Sequence, residues 1–223
     1  MKPISFVIIL VAAVVAVQLA VAQSTAPFTA AEREEIYAQT IERRATNILG
    51  ALMLKDTTKS GRVQDAIKAQ YRSLRARDEA LDTLFASLAN NAPGVESNRS
   101  DVARILSRQL HAKFVTKLAA DLTPEQLELV KDQMTYNKVK VTYDAYCEIV
   151  PKLTESEKGK ILETLKAARE EAMDGGSADE KTAIFQKHKD SINAMLDANG
   201  HNVSKAIKDW EIKQEAKTAS AAK

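Results

Sequence analysis

Between Met134 and Trp210 the chain gathers the side chains best suited to chemistry: Tyr136, Tyr143 and Tyr146, then Arg169, Glu170 and Asp174, then Lys181 and His188. Tyrosine rings offer apolar stacking area with a polar tip, and a guanidinium offers a planar fork, a pairing that suits sugars and carboxylates. Projected around a helix, Arg169 falls between Leu162 and Leu165, inside the arc that packing buries. Lys181 and His188 fall within the arc of Ile184, Ile192 and Met195, and Asp78 falls within the seam of an earlier helix. Charges so placed must be paired or face a cavity, because an unpaired buried charge is very costly. Two arrangements meet that demand. In one, Asp78 and Glu171 neutralise Arg169 or Lys181 in a structural network. In the other, the charges line a cleft with the three tyrosines and bind an anionic ligand. Glu170, Glu171 and Asp174 lie close enough to act as paired acids, but at a helix end they read as solvated. Catalysis would need one carboxyl held protonated by its surroundings.

Familiar catalytic constellations are absent from the sequence: it holds no G-x-S-x-G elbow, no H-E-x-x-H, no Walker loop and no G-x-G-x-x-G. His111, His188 and His201 are scattered, so nothing announces a metal site, and no cofactor is expected. Cys147 is the only cysteine, which excludes an intramolecular disulfide and a thiolate zinc cluster. Its position on an apolar helical face reads as a buried, inert thiol.

The elements that must position these residues are helices. The chain opens with Lys2, runs apolar from Phe6 to Val17 and reaches Ala20-Val21-Ala22 before Gln23. That is the pattern of a secretory signal cleaved after Ala22, and the rival reading is an uncleaved anchor. No cysteine follows the cleavage point, so the mature chain is not a lipoprotein; it is expected to be secreted or periplasmic, touching membrane only through the signal segment. Without Lys2 the chain holds 31 Lys and Arg against 30 Asp and Glu, with no basic tract, which argues against nucleic acid as a partner. Seven glycines, five prolines and abundant Ala, Leu, Lys and Glu favour helix over sheet.

Thr29 with Glu32, Thr123 with Gln126, Thr154 with Glu157 and Ser177 with Glu180 have capping-box spacing. Helices are expected from about residue 30, after Asp56 to Gly61, from about Ser100 to Ala120, over 124–134, and from Tyr143 to Pro151. Further helices run from about Glu155 to Met173, after Ser177 to Asn199, and through Val203 and Trp210. Gly50 either ends the first helix or lies within it, an extended segment passes through Val139 and Val141, and the glycines of Asp174-Gly175-Gly176 form a left-handed cap. The fold class is all-α, a multi-helix bundle of about eight helices behind the signal peptide. Residues 23–215 read as one helical domain, with a subdomain boundary at 90–100 around Asn90-Asn91-Ala92-Pro93-Gly94, and 216–223 as a frayed tail.

From Leu122 to Trp210 the chain resembles a family of secreted bacterial helical proteins known as a domain of unknown function. Leu122-Thr123-Pro124-Glu125-Gln126, Met134-Thr135-Tyr136, Val141-Thr142-Tyr143 with Tyr146, Ala168-Arg169-Glu170, Ala172-Met173-Asp174 and Trp210 carry the resemblance. It implies a role beside polysaccharide degradation, pectin especially, and supplies no catalytic residues. The family has aromatic residues where this chain has Ile184, His188, Met195 and His201, a departure that weakens sugar stacking on the penultimate helix. The first expectation is therefore an accessory or binding protein whose partner is an acidic polysaccharide or another secreted protein, with oligomeric state left open. Its ligand site draws on Tyr136, Tyr143, Tyr146, Arg169, Glu170, Asp174, Lys181 and His188. A second reading is a periplasmic chaperone or stress adaptor, because Leu122-Thr123-Pro124-Glu125-Gln126 also resembles the L-T-x-x-Q motif of small helical chaperones. A third is an enzyme on uronic-acid esters or glycosides, with Asp174, Glu170 or Tyr143 in acid-base roles.

Overall fold

The computed structural model describes residues 28–89 and 96–221. The signal segment and the loop around Pro93 lie outside the described residues. Within them the chain forms eight helices and no strand: α1 Ala30–Leu52, α2 Thr57–Ala89, α3 Glu96–Ala119, α4 Pro124–Met134, α5 Lys138–Ile149, α6 Glu155–Met173, α7 Ala178–Ala198 and α8 Val203–Ala221. No described helix is long and apolar enough to cross a membrane. The chain divides into two compact units, one up to Thr40 and one from Ile41 onward. In the first, Thr29 N donates to Glu32 Oε2 at 2.7 Å and Glu32 N to Thr29 Oγ1 at 3.2 Å, closing the capping box at the start of α1.

In the second unit α2 packs against α3. Arg62 meets Asp121, Arg77 meets Ser107 and Asp82 meets Arg99, so the two helices run antiparallel. Helix α6 packs on α5, α4 and α7, and α8 packs on α5 and α7. The core between them holds Val139, Tyr146, Val150, Leu153, Ile161, Leu165, Ala168, Ala172, Phe185, Ile192, Leu196 and Val203. The capping boxes of α4 and α6 are formed, with Thr123 and Thr154 accepting from the backbone three residues on and Gln126 and Glu157 reaching back. Each satisfies two donors that a helix start leaves open.

Several sequence expectations are corrected. Asp56 Oδ1 accepts from Lys59 N at 2.9 Å and starts α2 at Thr57, so Gly61 lies inside the helix; of the two outcomes expected for Gly50, the structure has it inside α1. Helix α3 begins at Glu96, ahead of Ser100. Val139 and Val141 belong to α5 and not to an extended segment. Tyr136 and Asn137, at φ of 59° and 54°, turn the chain through the left-handed region, and α5 starts at the next residue. Val139 is 6% exposed and Val141 is 63% exposed, opposite fates that a strand would not give residues two apart but a helix does.

Gly175 and Gly176 do not take a left-handed cap, since among the described glycines only Gly200 has positive φ, at 91°. They are small because of what lies over them. A Cβ on Gly175 would meet Lys181 Cγ at 3.1 Å, and one on Gly176 would meet Asp78 Oδ2 at 2.0 Å. Cys147 is exposed, not buried. The packed face of α5 centres on Val139, Tyr146 and Val150, and Cys147 lies about 90° around the helix from it.

Candidate functional site

The capped starts of α4 and α6 set the register in which their charges meet. On α4, Glu128 and Asp132 are four residues apart and share a face. Across from them Arg169, 3% exposed, donates through Nη1 to Asp132 Oδ1 at 2.7 Å and through Nη2 to Glu170 Oε1 at 3.0 Å and to Glu128. Lys131 Nζ lies 2.9 Å from Glu170 and 3.2 Å from Glu128. From α3, His111 places Nε2 3.4 Å from Glu170 Oε2 and Nδ1 3.3 Å from Asp174 Oδ1. The expectation that Asp78 or Glu171 neutralises Arg169 is thereby corrected. Asp78 accepts from its neighbour Arg77, whose Nη1 reaches Asp174 O at 2.9 Å and Ser107 Oγ at 2.6 Å, and Glu171 sits 3.0 Å from His188 Nε2.

The electrostatics of this junction are those of a saturated network. Hydrogen bonds to Asp174 and Glu170 raise His111 to about 9, so it is an imidazolium at neutral pH. Burial pushes the Glu170 carboxyl up, but His111 and Lys131 outweigh it and bring the group to about 2. Burial also opposes the Arg169 charge, and hydrogen bonds to Asp132, Glu128 and Glu170 overcome it. Only Nε of the Arg169 guanidinium lacks a partner. A general acid needs a carboxyl held protonated near working pH, and this environment does the reverse. The cluster fastens α3, α4 and α6 together.

The remaining sequence candidates are not drawn into it as ligands. Lys181, 2% exposed, donates to Ala172 O at 2.7 Å and Met173 O at 3.3 Å, closing the C-terminal carbonyls of α6, and burial lowers it to about 8. Tyr146 is buried and donates to Asn193 Oδ1 at 2.7 Å, with its phenol pushed up to about 12 by burial. Tyr143 packs on the core, while Tyr136 projects 47% exposed from the left-handed turn. The tyrosines therefore do not converge on Arg169, and neither Arg169 nor Lys181 offers a free fork to an anion.

A recess that sequence reasoning missed lies where α5 ends and α8 begins. It is a groove of about 520 Å³ whose lining includes Glu148, Lys152, His201, Lys205, Trp210 and Lys213. Gly200, at φ 91°, reverses the chain after α7, and His201 N closes onto Leu196 O at 3.0 Å. That turn delivers His201 Nε2 to 3.0 Å from Glu157 Oε1 on α6. Trp210 Nε1 donates to Glu148 Oε1 at 2.9 Å, which fixes the indole against the end of α5. Lys205 is paired with Asp209 at 2.5 Å, whereas Lys152 and Lys213 are exposed and have no ion-pair partner among the described residues. The arrangement combines one oriented aromatic ring with two ammonium groups that are uncommitted among the described residues. The only sequence signal for it was a tryptophan on a helix too polar to bury it fully.

No curated protein matches the chain. A family model described as a protein of unknown function matches residues 38–216, a span that holds both the charged junction and the groove. The chain belongs to that family, DUF3826.

Proposed function

We propose that this protein is an exported, non-catalytic accessory protein of acidic-polysaccharide use, and that the groove between α5 and α8 is where it holds the glycan. The supporting observation is Trp210, held by Glu148 in a recess of about 520 Å³ beside Lys152 and Lys213, which have no ion-pair partner among the described residues. That volume is the size of ordinary small-ligand sites, roughly 300–1,000 Å³. An indole face stacks on the apolar face of a sugar ring, and ammonium groups favour the carboxylates of a uronate. Binding is favoured over turnover because Glu148 is occupied by Trp210 and Gln214, and Asp209 by Lys205. Export rests on the signal pattern in residues 1–22.

The test is binding of residues 23–223 to polygalacturonate and to neutral glycans, with released methanol, acetate and reducing ends recorded in parallel. We expect saturable binding to the acidic polymer without release, weakened at least tenfold by Trp210→Ala in a protein of unchanged helicity. Equal affinity for the neutral polymers, or an unaltered Trp210→Ala variant, overturns the assignment of the groove; released product makes the protein an enzyme. Exposed Leu84, Leu88, Ile105 and Leu106 on α2 and α3 favour a chaperone as the second reading. It predicts suppression of aggregation of an unfolded client at equimolar ratio.

A further inference from the structure

One histidine joins the groove to the core of the bundle. His201 is among the residues lining the recess, and its Nε2 lies 3.0 Å from Glu157 Oε1. Glu157 is 6% exposed and already holds Thr154 N at 2.8 Å, Thr154 Oγ1 at 2.9 Å and Asn199 Nδ2 at 2.9 Å. The donors from the Thr154 backbone, Asn199 and the Thr154 hydroxyl hold it at about 2, so it faces His201 as a carboxylate. An imidazole nitrogen opposite a carboxylate must carry a proton, which fixes Nε2 as a donor and leaves Nδ1 as the nitrogen whose state can change. No partner holds Nδ1 among the described residues.

We propose that His201, poised by Glu157, is the carboxylate-recognising residue of the groove, so that capture of a uronate-bearing glycan takes up a proton and tightens as pH falls. The inference rests on the glycan-binding reading above. In a neutral ring Nδ1 is an acceptor and repels a carboxylate. Once protonated it is a donor bearing positive charge, so a bound carboxylate favours the imidazolium by the same free energy with which the imidazolium favours the ligand. The charged groups that share the recess with His201, together with Glu157, act in both directions. Glu157 on α6, Glu148 on α5 and Asp209 on α8 favour the proton; Lys152 after α5, and Lys205 and Lys213 on α8, oppose it. An incoming carboxylate offsets the lysines and shifts that balance toward protonation. Glu157 acts only through His201 and is a positioning residue.

The test uses residues 23–223 and two probes, an oligogalacturonate and its fully methyl-esterified form. Calorimetry at pH 5.5, 6.5 and 7.5, in buffers of different ionisation enthalpy, reads affinity and proton uptake together. The expected result is affinity for the acid rising about fivefold or more from pH 7.5 to 5.5, with uptake of a fraction of a proton, and no such trend for the ester. His201→Gln is expected to abolish the trend, and Glu157→Gln to reduce it. Because the chain has three histidines, imidazole resonances of the unmutated protein give a second measure, with the titration of His201 moving to higher pH when ligand is added. Binding of the acid that is independent of pH, a trend that survives His201→Gln, or an unmoved His201 titration overturns this inference and leaves the groove assignment standing. Absence of acid binding at every pH overturns both.

Discussion

Arg169 holds three carboxylates, Glu128, Asp132 and Glu170, on a guanidinium that is 3% exposed. Removing one member of a buried charge set leaves the others uncompensated, at a typical cost of about 3–5 kcal/mol. Glu128, Asp132 and Glu170 keep 44%, 32% and 36% of their side-chain surface and can turn to water, which puts the loss at the lower end of that range. Arg169→Ala is therefore expected to destabilise the fold by about 3 kcal/mol in urea titration while leaving glycan affinity within a factor of two. A large affinity loss in a stable variant would return Arg169 to the ligand site. The burial of Arg169 and Lys181 was legible from helical projection alone. Their partners were not, because Glu128 and Asp132 come from a helix whose crossing with α6 no periodicity records. His201 was hidden for the same reason, since Glu157 lies 44 residues earlier.

The helix starts of α4 and α6 were the most legible features, because a hydroxyl and a carboxyl or amide three residues apart satisfy specific backbone donors and so leave a local mark. The starts of α2, α3 and α5 carry no such pair and were misplaced. Thr154 does this for α6, and Thr154→Ala is expected to cost about 1 kcal/mol, the ordinary loss for an N-cap. Because Thr154 also holds Glu157, that variant should weaken acid binding through His201 as well, whereas Thr123→Ala, which caps α4, should change stability alone. Paired denaturation and binding measurements separate the two. Chain reversals were less legible. The valines at 139 and 141 carry extended propensity, but the turn at Tyr136 and Asn137 and the burial of Val139 decide for helix. Gly175 and Gly176 look like a handed cap in sequence, yet the need is for space under Lys181 and Asp78. Gly175→Ala, with its Cβ 3.1 Å from Lys181 Cγ and 3.3 Å from Ala172 O, is expected to lose about 1–2 kcal/mol.

Across the whole molecule these local shifts add into one pH profile of stability. His111 binds its proton more tightly when folded, at about 9 against 6.5, so its contribution is complete below 6.5 and is lost as pH rises to 9. Partial solvent screening limits that loss to about 2 kcal/mol. Glu170, at about 2 against 4.5, contributes above 4.5 and is lost as pH falls toward 2, and Glu157 acts with the same sign. Lys181 is the exception, because a folded value of about 8 against 10.5 means that stability is regained as pH rises through that interval. Urea titrations should give a plateau from about pH 4.5 to 6.5 with a fall on both sides, and His111→Gln should flatten the alkaline fall. The all-helical architecture was legible from composition and periodicity together. The groove was not, because it exists only where the ends of α5 and α7 and the start of α8 meet.

The thiol of Cys147 stands in solvent on α5, one residue before Glu148 in the wall of the groove, and it is the only cysteine in the chain. A single maleimide dye therefore labels the unmutated protein at one address, within a helical turn of the recess. Its emission can be followed against Trp210 as donor, so occupancy becomes an optical signal that requires no engineered site.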